Sequence, residues 1–350
     1  MEYVNCNLCG CNRAKRVYVV PRIVEGTGRK FNVVRCEECG LVYTNPRLTR
    51  AEIKQCYPED AYYSYHQPIP YNEGYGRTHA LRARLKTLVL EECYGWRLAR
   101  SKRRRLLGVM SERVTGVARK TLAYLLKNEL EHGIPFKPRG RILDVGCGNG
   151  VFLEWLHSVS EELELYGLEI SEKACESLSR RPYISTACGD LLEVRFPDNF
   201  FDIVTMWDVL EHLHDPLASI RETARVLNDG GVSCIGLPNF DSIERKIFGE
   251  HWYGLQPEQH LYHFTPTTLR YTLEKGGFSV IAMSRLRGSG RARLTTSLLK
   301  RSVQNDASRL GAQVRARLLH MCSYILDTFC YGGHIRIIAK QYHSKSHGPS

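Results

Sequence analysis

Three groups of residues have the types and spacing for chemistry. In Asp144-Val145-Gly146-Cys147-Gly148-Asn149-Gly150, glycine recurs at every second position straight after the apolar run Arg141 to Val145. Glycines let a backbone approach a ligand closely, and a helix opening at Val151 offers unpaired N–H groups to an anion. About twenty residues on, Leu165-Tyr166-Gly167-Leu168-Glu169-Ile170 brings a carboxylate to the end of a second apolar run, where it can accept both hydroxyls of a nucleoside ribose. The second group is Cys6-x2-Cys9 and Cys36-x2-Cys39, two pairs separated by twenty-six residues, each followed by a glycine (Gly10, Gly40) that suits a tight knuckle. Four thiolates hold Zn²⁺ tetrahedrally and staple a segment too small to build its own core; such a site is closed, so a structural ion is expected. Cys11 is a spare thiol able to replace Cys9. The third group suits proton transfer. Asp208, Glu211 and His212 stand at i, i+3 and i+4 of one helical face. Further on, His251, Trp252, Tyr253, His260, Tyr262 and His263 combine imidazoles and aromatics as a substrate wall would.

The elements that must position these groups are legible in turn. Arg141 to Val145, Leu165 to Ile170, Ile184 to Cys188, Phe201 to Asp208 and Val232 to Leu237 read as buried strands. Helices are expected from Val151 to Leu156, Glu172 to Arg180, Asp215 to Leu227 and Thr267 to Lys275. Asp215-Pro216 and Thr265-Pro266 supply cap and first-turn residues, and Gly276-Gly277 stops the last helix. Phe278 to Leu286 and His334 to Lys340 read as a closing pair of strands, with about forty-seven residues between them. Between the knuckles, Val17 to Val20 and Phe31 to Val34 read as paired strands. The acid–base groups fall just after the fourth and fifth strands of the main series, at the carboxyl edge where open α/β sheets bind their ligands.

With these residues in place, 141–286 resembles a class I S-adenosylmethionine-dependent methyltransferase. Asp144 to Gly150 matches that family's first motif nearly residue for residue, and Gly189-Asp190-Leu191, Phe201 to Asp208 and Val226 to Gly231 follow in its order. A nicotinamide fingerprint wants G-x-G-x-x-G, and position 151 is Val. The resemblance implies a doubly wound α/β fold, with a mostly parallel seven-stranded sheet closed by an antiparallel pair, and S-adenosylmethionine as cofactor. It implies cofactor contacts at Asp144, Gly146, Cys147 and Gly148 in the turn. Others would come from Glu169 and Ile170, from Asp190 and Leu191, with Asp190 on the adenine amino group, and from Trp207. Cys39-Gly40-Leu41-Val42-Tyr43-Thr44-Asn45-Pro46-Arg47 resembles a zinc-ribbon leader carried by many bacterial methyltransferases of sugars and cell-surface glycans. It is similar, more loosely, to the leader of sugar C-methyltransferases. Asp208-Val209-Leu210-Glu211-His212 resembles the E-x-x-E-H run of ubiquinone-biosynthesis O-methyltransferases, where a divalent ion has been proposed; Asp208 replaces the first Glu, a departure from that ligand set. Gln259-His260-Leu261-x-x-Phe264 resembles a motif of this methyltransferase subgroup. It makes His260 the leading candidate for the general base, with His212 and Glu211 as the others.

Composition bounds the rest. A hydrophobic share of 43% and a charged share of 25% put the 350 residues among globular chains, as two domains or one large domain with inserts. No apolar run reaches about 18 residues, so no spanning helix is expected. The opening Met-Glu-Tyr-Val-Asn carries no secretory signal, and thirteen cysteines then point to a reducing cytoplasm. Charge is concentrated: 77–140 carries +11 and 287–320 carries +7 of a total of +12, leaving the remainder at −6. Both basic segments show helical apolar periodicity, so an anionic partner is expected: a phosphate-bearing glycan substrate, a peripheral contact with an anionic membrane at its inner face, or RNA. The organisation expected is a zinc ribbon over 1–50, an extended Tyr-, Pro- and Gly-rich segment over 51–76, a basic helical insert over 77–140, and a methyltransferase domain over 141–341 with a second basic insert at 287–333. The function expected is methyl transfer to a small or carrier-linked acceptor, a sugar or glycan intermediate, by O- or C-methylation. The alternative is an RNA methyltransferase that uses the basic inserts and the ribbon to bind RNA.

Overall fold

The computed structural model describes residues 1–21, 30–58, 139–286 and 333–342. Of the segment expected to be extended over 51–76, the described part holds the helical turns Arg50–Ile53 and Lys54–Cys56, and 59–76 lies outside the described residues, as do 77–138 and 287–332 of the expected basic inserts. A seven-stranded sheet has the order β10-β11-β8-β7-β4-β5-β6, and a four-stranded sheet the order β1-β2-β3-β9. The large sheet comprises β4 (Gly140–Val145), β5 (Leu163–Glu169), β6 (Ile184–Cys188), β7 (Phe201–Trp207), β8 (Leu227–Pro238), β10 (Phe278–Leu286) and β11 (His334–Gln341). The small one comprises β1 (Ala14–Pro21), β2 (Lys30–Cys36), β3 (Val42–Thr44) and β9 (Tyr262–His263). The large sheet is mostly parallel: β4 with β5 and β5 with β6 run parallel, while β10 and β11 form the antiparallel pair that closes it. No described helix is long and apolar enough to cross a membrane.

The chain divides into two compact units, with β7 and β8 passing from one to the other. The first comprises Met1–Pro58, Met206–Ala224 and Ile235–Ser350; the second comprises Glu59–Thr205 and Arg225–Cys234.

In the second unit the apolar runs become strands whose side chains are buried on both faces. Ile142, Leu143, Leu165, Leu168, Phe201, Ile203 and Val204 are almost fully enclosed, as strands covered on both sides require. Helices α2 (Val151–Val159) and α3 (Glu172–Ser179) connect β4 to β5 and β5 to β6. Ser171 caps α3 by accepting from the Ala174 N–H at 3.3 Å. One boundary differs from the sequence reading. β8 begins at Leu227, not Val232, and near its start Asn228 donates to Asp202 Oδ1 on β7 at 2.8 Å.

In the first unit the small sheet is completed from far along the chain. Val42 pairs with His263 and Tyr43 with Tyr262. The cysteine-bearing segment shares a core with the later chain, in which Val20, Val33, Val42, Phe240, Phe248, Trp252 and Leu255 pack together. Helix α4 (Pro216–Val226) starts where Asp215 was expected to cap it, with Ala218 N–H donating to Asp215 Oδ1 at 2.9 Å. A second cap comes from the cysteine segment: Asn7 donates to the same Oδ1 at 2.8 Å and accepts from the Leu217 N–H at 3.1 Å. Helix α6 (Pro266–Lys275) carries the expected Thr265 cap, with Thr268 returning the bond, and its terminal Lys275 reaches the Leu8 carbonyl at 2.5 Å. Of the remaining helices, α1 (Arg50–Ile53) opens on a Thr49–Glu52 capping box, and α5 (Ile243–Phe248) is capped by Ser242.

Candidate functional site

In the second unit the turn after β4 is shaped by its glycine backbone and by one buried carboxylate. Gly146, Gly148 and Gly150 have φ of 67°, 54° and 79°, the left-handed region that side chains disfavour. The N–H groups of Gly146 and Cys147 both donate to the Leu168 carbonyl, at 2.8 and 3.1 Å, tying the turn to β5. A Cβ at Gly150 would stand 2.4 Å from Leu178 and 2.7 Å from Arg181, so this position tolerates only glycine. Gly167, on β5, leaves room for Cys147; a Cβ there would meet its Sγ at 2.9 Å.

Glu169, buried at the end of β5, is the hub of this turn. Its Oε2 accepts from the Gly148 N–H at 2.8 Å, and its Oε1 from Ile170 and Ser171 N–H at 2.8 and 3.1 Å. Three backbone donors fix the carboxylate, and each oxygen has two lone pairs, so one on Oε2 remains for a ligand hydroxyl. Ile170, next to it, is 62% exposed, an unusual place for an isoleucine and one that a flat ligand would cover. Asp144 is buried, and burial pushes its carboxyl up to about 7; the Thr205 hydroxyl, donating at 2.6 Å, opposes the rise, and the charge of Glu169 adds to it. Asp190 is half-buried after β6 and accepts from the Leu192 N–H at 2.9 Å, with Leu191 enclosed beside it. The structure thus gathers Asp144, Gly146, Cys147, Gly148, Glu169, Ile170, Asp190 and Leu191 within the second unit.

Trp207 belongs to the first unit. Its ring lies against Gly236, where a Cβ would stand 2.7 Å from ring carbon Cε3, and the Arg336 guanidinium sits 5.1 Å from the ring centre. Asp208 follows with φ of 54°, held by its N–H to the Gly236 carbonyl at 2.8 Å. His334 Nε2 donates to Asp208 Oδ1 at 2.6 Å. This partner was not anticipated from sequence, because His334 opens a strand far along the chain with no local signal of function.

Beyond Asp208 lie Glu211, His212 and His260, which offer three donor atoms within 4.8 Å of one another. Glu211 is 2% exposed, and the two imidazole centres are 4.6 Å apart, edge to face. The Nδ1 of His260 lies 2.8 Å from the Gly254 carbonyl, and that of His212 lies 3.0 Å from the Gln259 carbonyl. A carbonyl only accepts, so each Nδ1 carries the proton and each Nε2 keeps its lone pair. Tyr57 Oη sits 2.8 Å from the same His212 nitrogen, and Gln259 Nε2 donates to the Cys56 carbonyl at 2.7 Å. The segment after the cysteines therefore buttresses the imidazoles. Burial holds His212 down to about 4 and His260 well below the usual range, so both are neutral bases at pH 7.

Of the rest of the expected substrate wall, Trp252, Tyr262 and His263 turn inward, while His251 and Tyr253 are half-buried. Trp252 and Tyr262 are 3% and 2% exposed and His263 is 3% exposed. Trp252 fills the core shared with β1 to β3, and Tyr262 Oη receives a hydrogen bond from Arg47 at 2.9 Å and donates to the His214 carbonyl at 3.2 Å. Aromatic type and local spacing are the same for a wall and for a core, and only the distant cysteine segment decides between them.

At the cysteines, Cys6, Cys9, Cys36 and Cys39 bring four sulfurs within 4.8 Å of one another. The Cys6–Cys39 and Cys9–Cys36 sulfur separations are 3.4 and 3.5 Å. A tetrahedral ion with Zn–S of about 2.3 Å needs sulfurs about 3.8 Å apart, so the set fits one. Both knuckles close alike, Gly10 N–H to the Cys6 carbonyl at 2.8 Å and Gly40 N–H to the Cys36 carbonyl at 3.1 Å. Cys11 stands apart, its Sγ accepting from the Arg13 N–H at 3.3 Å.

Residues 110–283 match a family model described as a methyltransferase domain. An uncharacterized methyltransferase of Schizosaccharomyces pombe is 38% identical over 28% of this chain and 40% of its own length. A 27-O-demethylrifamycin SV methyltransferase of Amycolatopsis mediterranei is 32% identical over 32% of this chain and 43% of its own. A ubiquinone biosynthesis O-methyltransferase of Thiobacillus denitrificans is 33% identical over 26% of this chain and 41% of its own. The chain spans about two fifths of the length of these curated relatives. With the glycine turn and the ordered sheet, these matches identify the chain as carrying a class I, S-adenosylmethionine-dependent methyltransferase domain.

Proposed function

We propose that the protein transfers the methyl group of S-adenosylmethionine to an oxygen or carbon of a small or carrier-linked acceptor, a sugar or glycan intermediate. The observation that carries the cofactor assignment is the turn in which Glu169 is held by the Gly148, Ile170 and Ser171 N–H groups with a lone pair to spare. Glu169 would hold the ribose, Asp190 the adenine amino group, and Ile170 and Leu191 would cover the base. Bound there, the cofactor supplies a methyl group already made electrophilic by the sulfonium. The chain must then orient the acceptor and remove its proton, which we assign to the neutral imidazoles of His260 and His212 with Glu211 beside them. The relatives named for their acceptors act on small molecules, which favours that class over RNA. The four cysteines would hold a structural zinc ion. The experiment is product mass from labelled cofactor incubated with nucleotide-sugars, lipid-linked glycans and total RNA. Label in a glycan supports the reading, and label confined to RNA replaces it with an RNA methyltransferase. His260→Ala should lower turnover by about 10²–10⁴-fold while leaving cofactor affinity in place.

A further inference from the structure

We propose that Glu211, His212 and His260 form a second metal site, distinct from the four cysteines, that takes one divalent first-row transition ion. Their three donor atoms lie within 4.8 Å of one another, and His212 Nε2 is 4.0 Å from Glu211 Oε1. Metal–nitrogen and metal–oxygen bonds of about 2.0–2.2 Å bring ligand atoms roughly 3–3.5 Å apart, so a small inward turn of the side chains closes the site. Both imidazoles are prepared for it. Each Nδ1–H is committed to a backbone carbonyl, Gln259 for His212 and Gly254 for His260, and each Nε2 lone pair is left for a ligand. That is the arrangement of metal-bound histidine, whose second nitrogen donates to a carbonyl or carboxylate. The carboxylate and the two Nε2 lone pairs are all electron-pair donors, the set that a divalent cation takes. Two imidazoles and one carboxylate suit zinc, and three protein ligands leave a position open for an oxygen of the acceptor.

The ligand set is not the run Asp208-x-x-Glu211-His212. Asp208 is engaged by His334 at 2.6 Å, and the third donor is His260, on the loop before β9. The inference rests on the assignment of this cluster to the acceptor side; with an ion bound, the Nε2 lone pairs would hold it in place of acting as the base, and the ion would lower the pKa of an acceptor hydroxyl at its open position.

The test uses the full chain, stripped with chelator and titrated with Co²⁺ under reducing conditions. Two equivalents should bind. One shows the intense sulfur-to-cobalt charge-transfer absorption of the cysteine site, and the other only weaker visible bands. Glu211→Gln, which keeps the side chain's shape, and His212→Gln should each lose the second spectrum and retain the first. Cys36→Ser should do the reverse. Zinc content by elemental analysis should fall from two to one per chain in the Glu211 and His212 variants. A wild-type chain that binds a single equivalent, with charge-transfer absorption only, overturns the inference whether or not any variant folds. Two equivalents retained in both variants overturn it as well. Calorimetric titration with S-adenosylmethionine on the same samples separates the two readings. Cofactor binding without the second cobalt spectrum sinks the metal site alone, whereas the second spectrum without cofactor binding sinks the methyltransferase reading alone.

Discussion

In the turn after β4, the loop is held by main chain: three glycines at positive φ, two N–H groups on the Leu168 carbonyl, and one carboxylate gripped by three more. In the cysteine segment the loops are held by side chains, four sulfurs and then Asn7, Arg47, Gln259 and Lys275 reaching along the first unit. The first kind of loop has its constraints within a few residues of itself, in glycine backbone geometry and in hydrogen bonds to β5 and Glu169. The second kind depends on contacts made across the chain, the four sulfurs together with the core that Val20, Val33 and Val42 share with Phe240, Phe248, Trp252 and Leu255.

The comparison breaks most sharply at the cysteines. If the four sulfurs hold the zinc ion proposed above, Cys36→Ser should release it and cost on the order of 5 kcal/mol or more locally. Hydrogen exchange would read it as lost protection at Val42 to Thr44 and, through strand pairing, at Tyr262 and His263. Protection confined to its normal pattern would show that the segment stands without its ion. Next, Gly150→Ala sets a Cβ 2.4 Å from Leu178 in a left-handed backbone, and a loss of about 2–4 kcal/mol in chemical denaturation is expected. Glu169→Gln keeps the size of the side chain but removes an acceptor from the hub. Calorimetry should find S-adenosylmethionine bound at least tenfold more weakly, about 1.4 kcal/mol, and unchanged affinity would move the ribose partner elsewhere.

Asp144 gives a pH test of the turn. Its carboxyl sits at about 7, above the ordinary 3.8, so it is largely protonated below pH 7 in the free protein. A cationic cofactor favours the ionised form, so binding below pH 7 must expel a proton. Affinity should therefore rise as pH climbs to 7 and level off above it, and Asp144→Asn should flatten the profile. The smallest effect is expected at Asn7→Ala, which removes one cap from α4. A cost of about 1 kcal/mol in thermal unfolding is the expectation.

The two regions also differ in how much of them could be read beforehand. The glycine turn, the carboxylate at the end of β5 and the strands around them announce themselves locally, since periodicity and positive-φ glycines act within a few residues. The cysteine pairs are equally local, and their sulfurs do meet. What lies across the chain was hidden. β9 is two residues long and has no strand signature of its own. Trp252, Tyr262 and His263 are buried by partners more than two hundred residues away. His334 meets Asp208 only because β11 returns alongside β8.

The pairing of β3 with β9 also sets an order of events during synthesis. Val42 and Tyr43 leave the ribosome roughly 220 residues before His263 and Tyr262, a delay of about 10–40 s at ordinary elongation rates. Through that interval the outer edge of β3 has no neighbour, and an open strand edge is an invitation to pair with another chain. The nascent protein must pass this window with three strands of a four-stranded sheet.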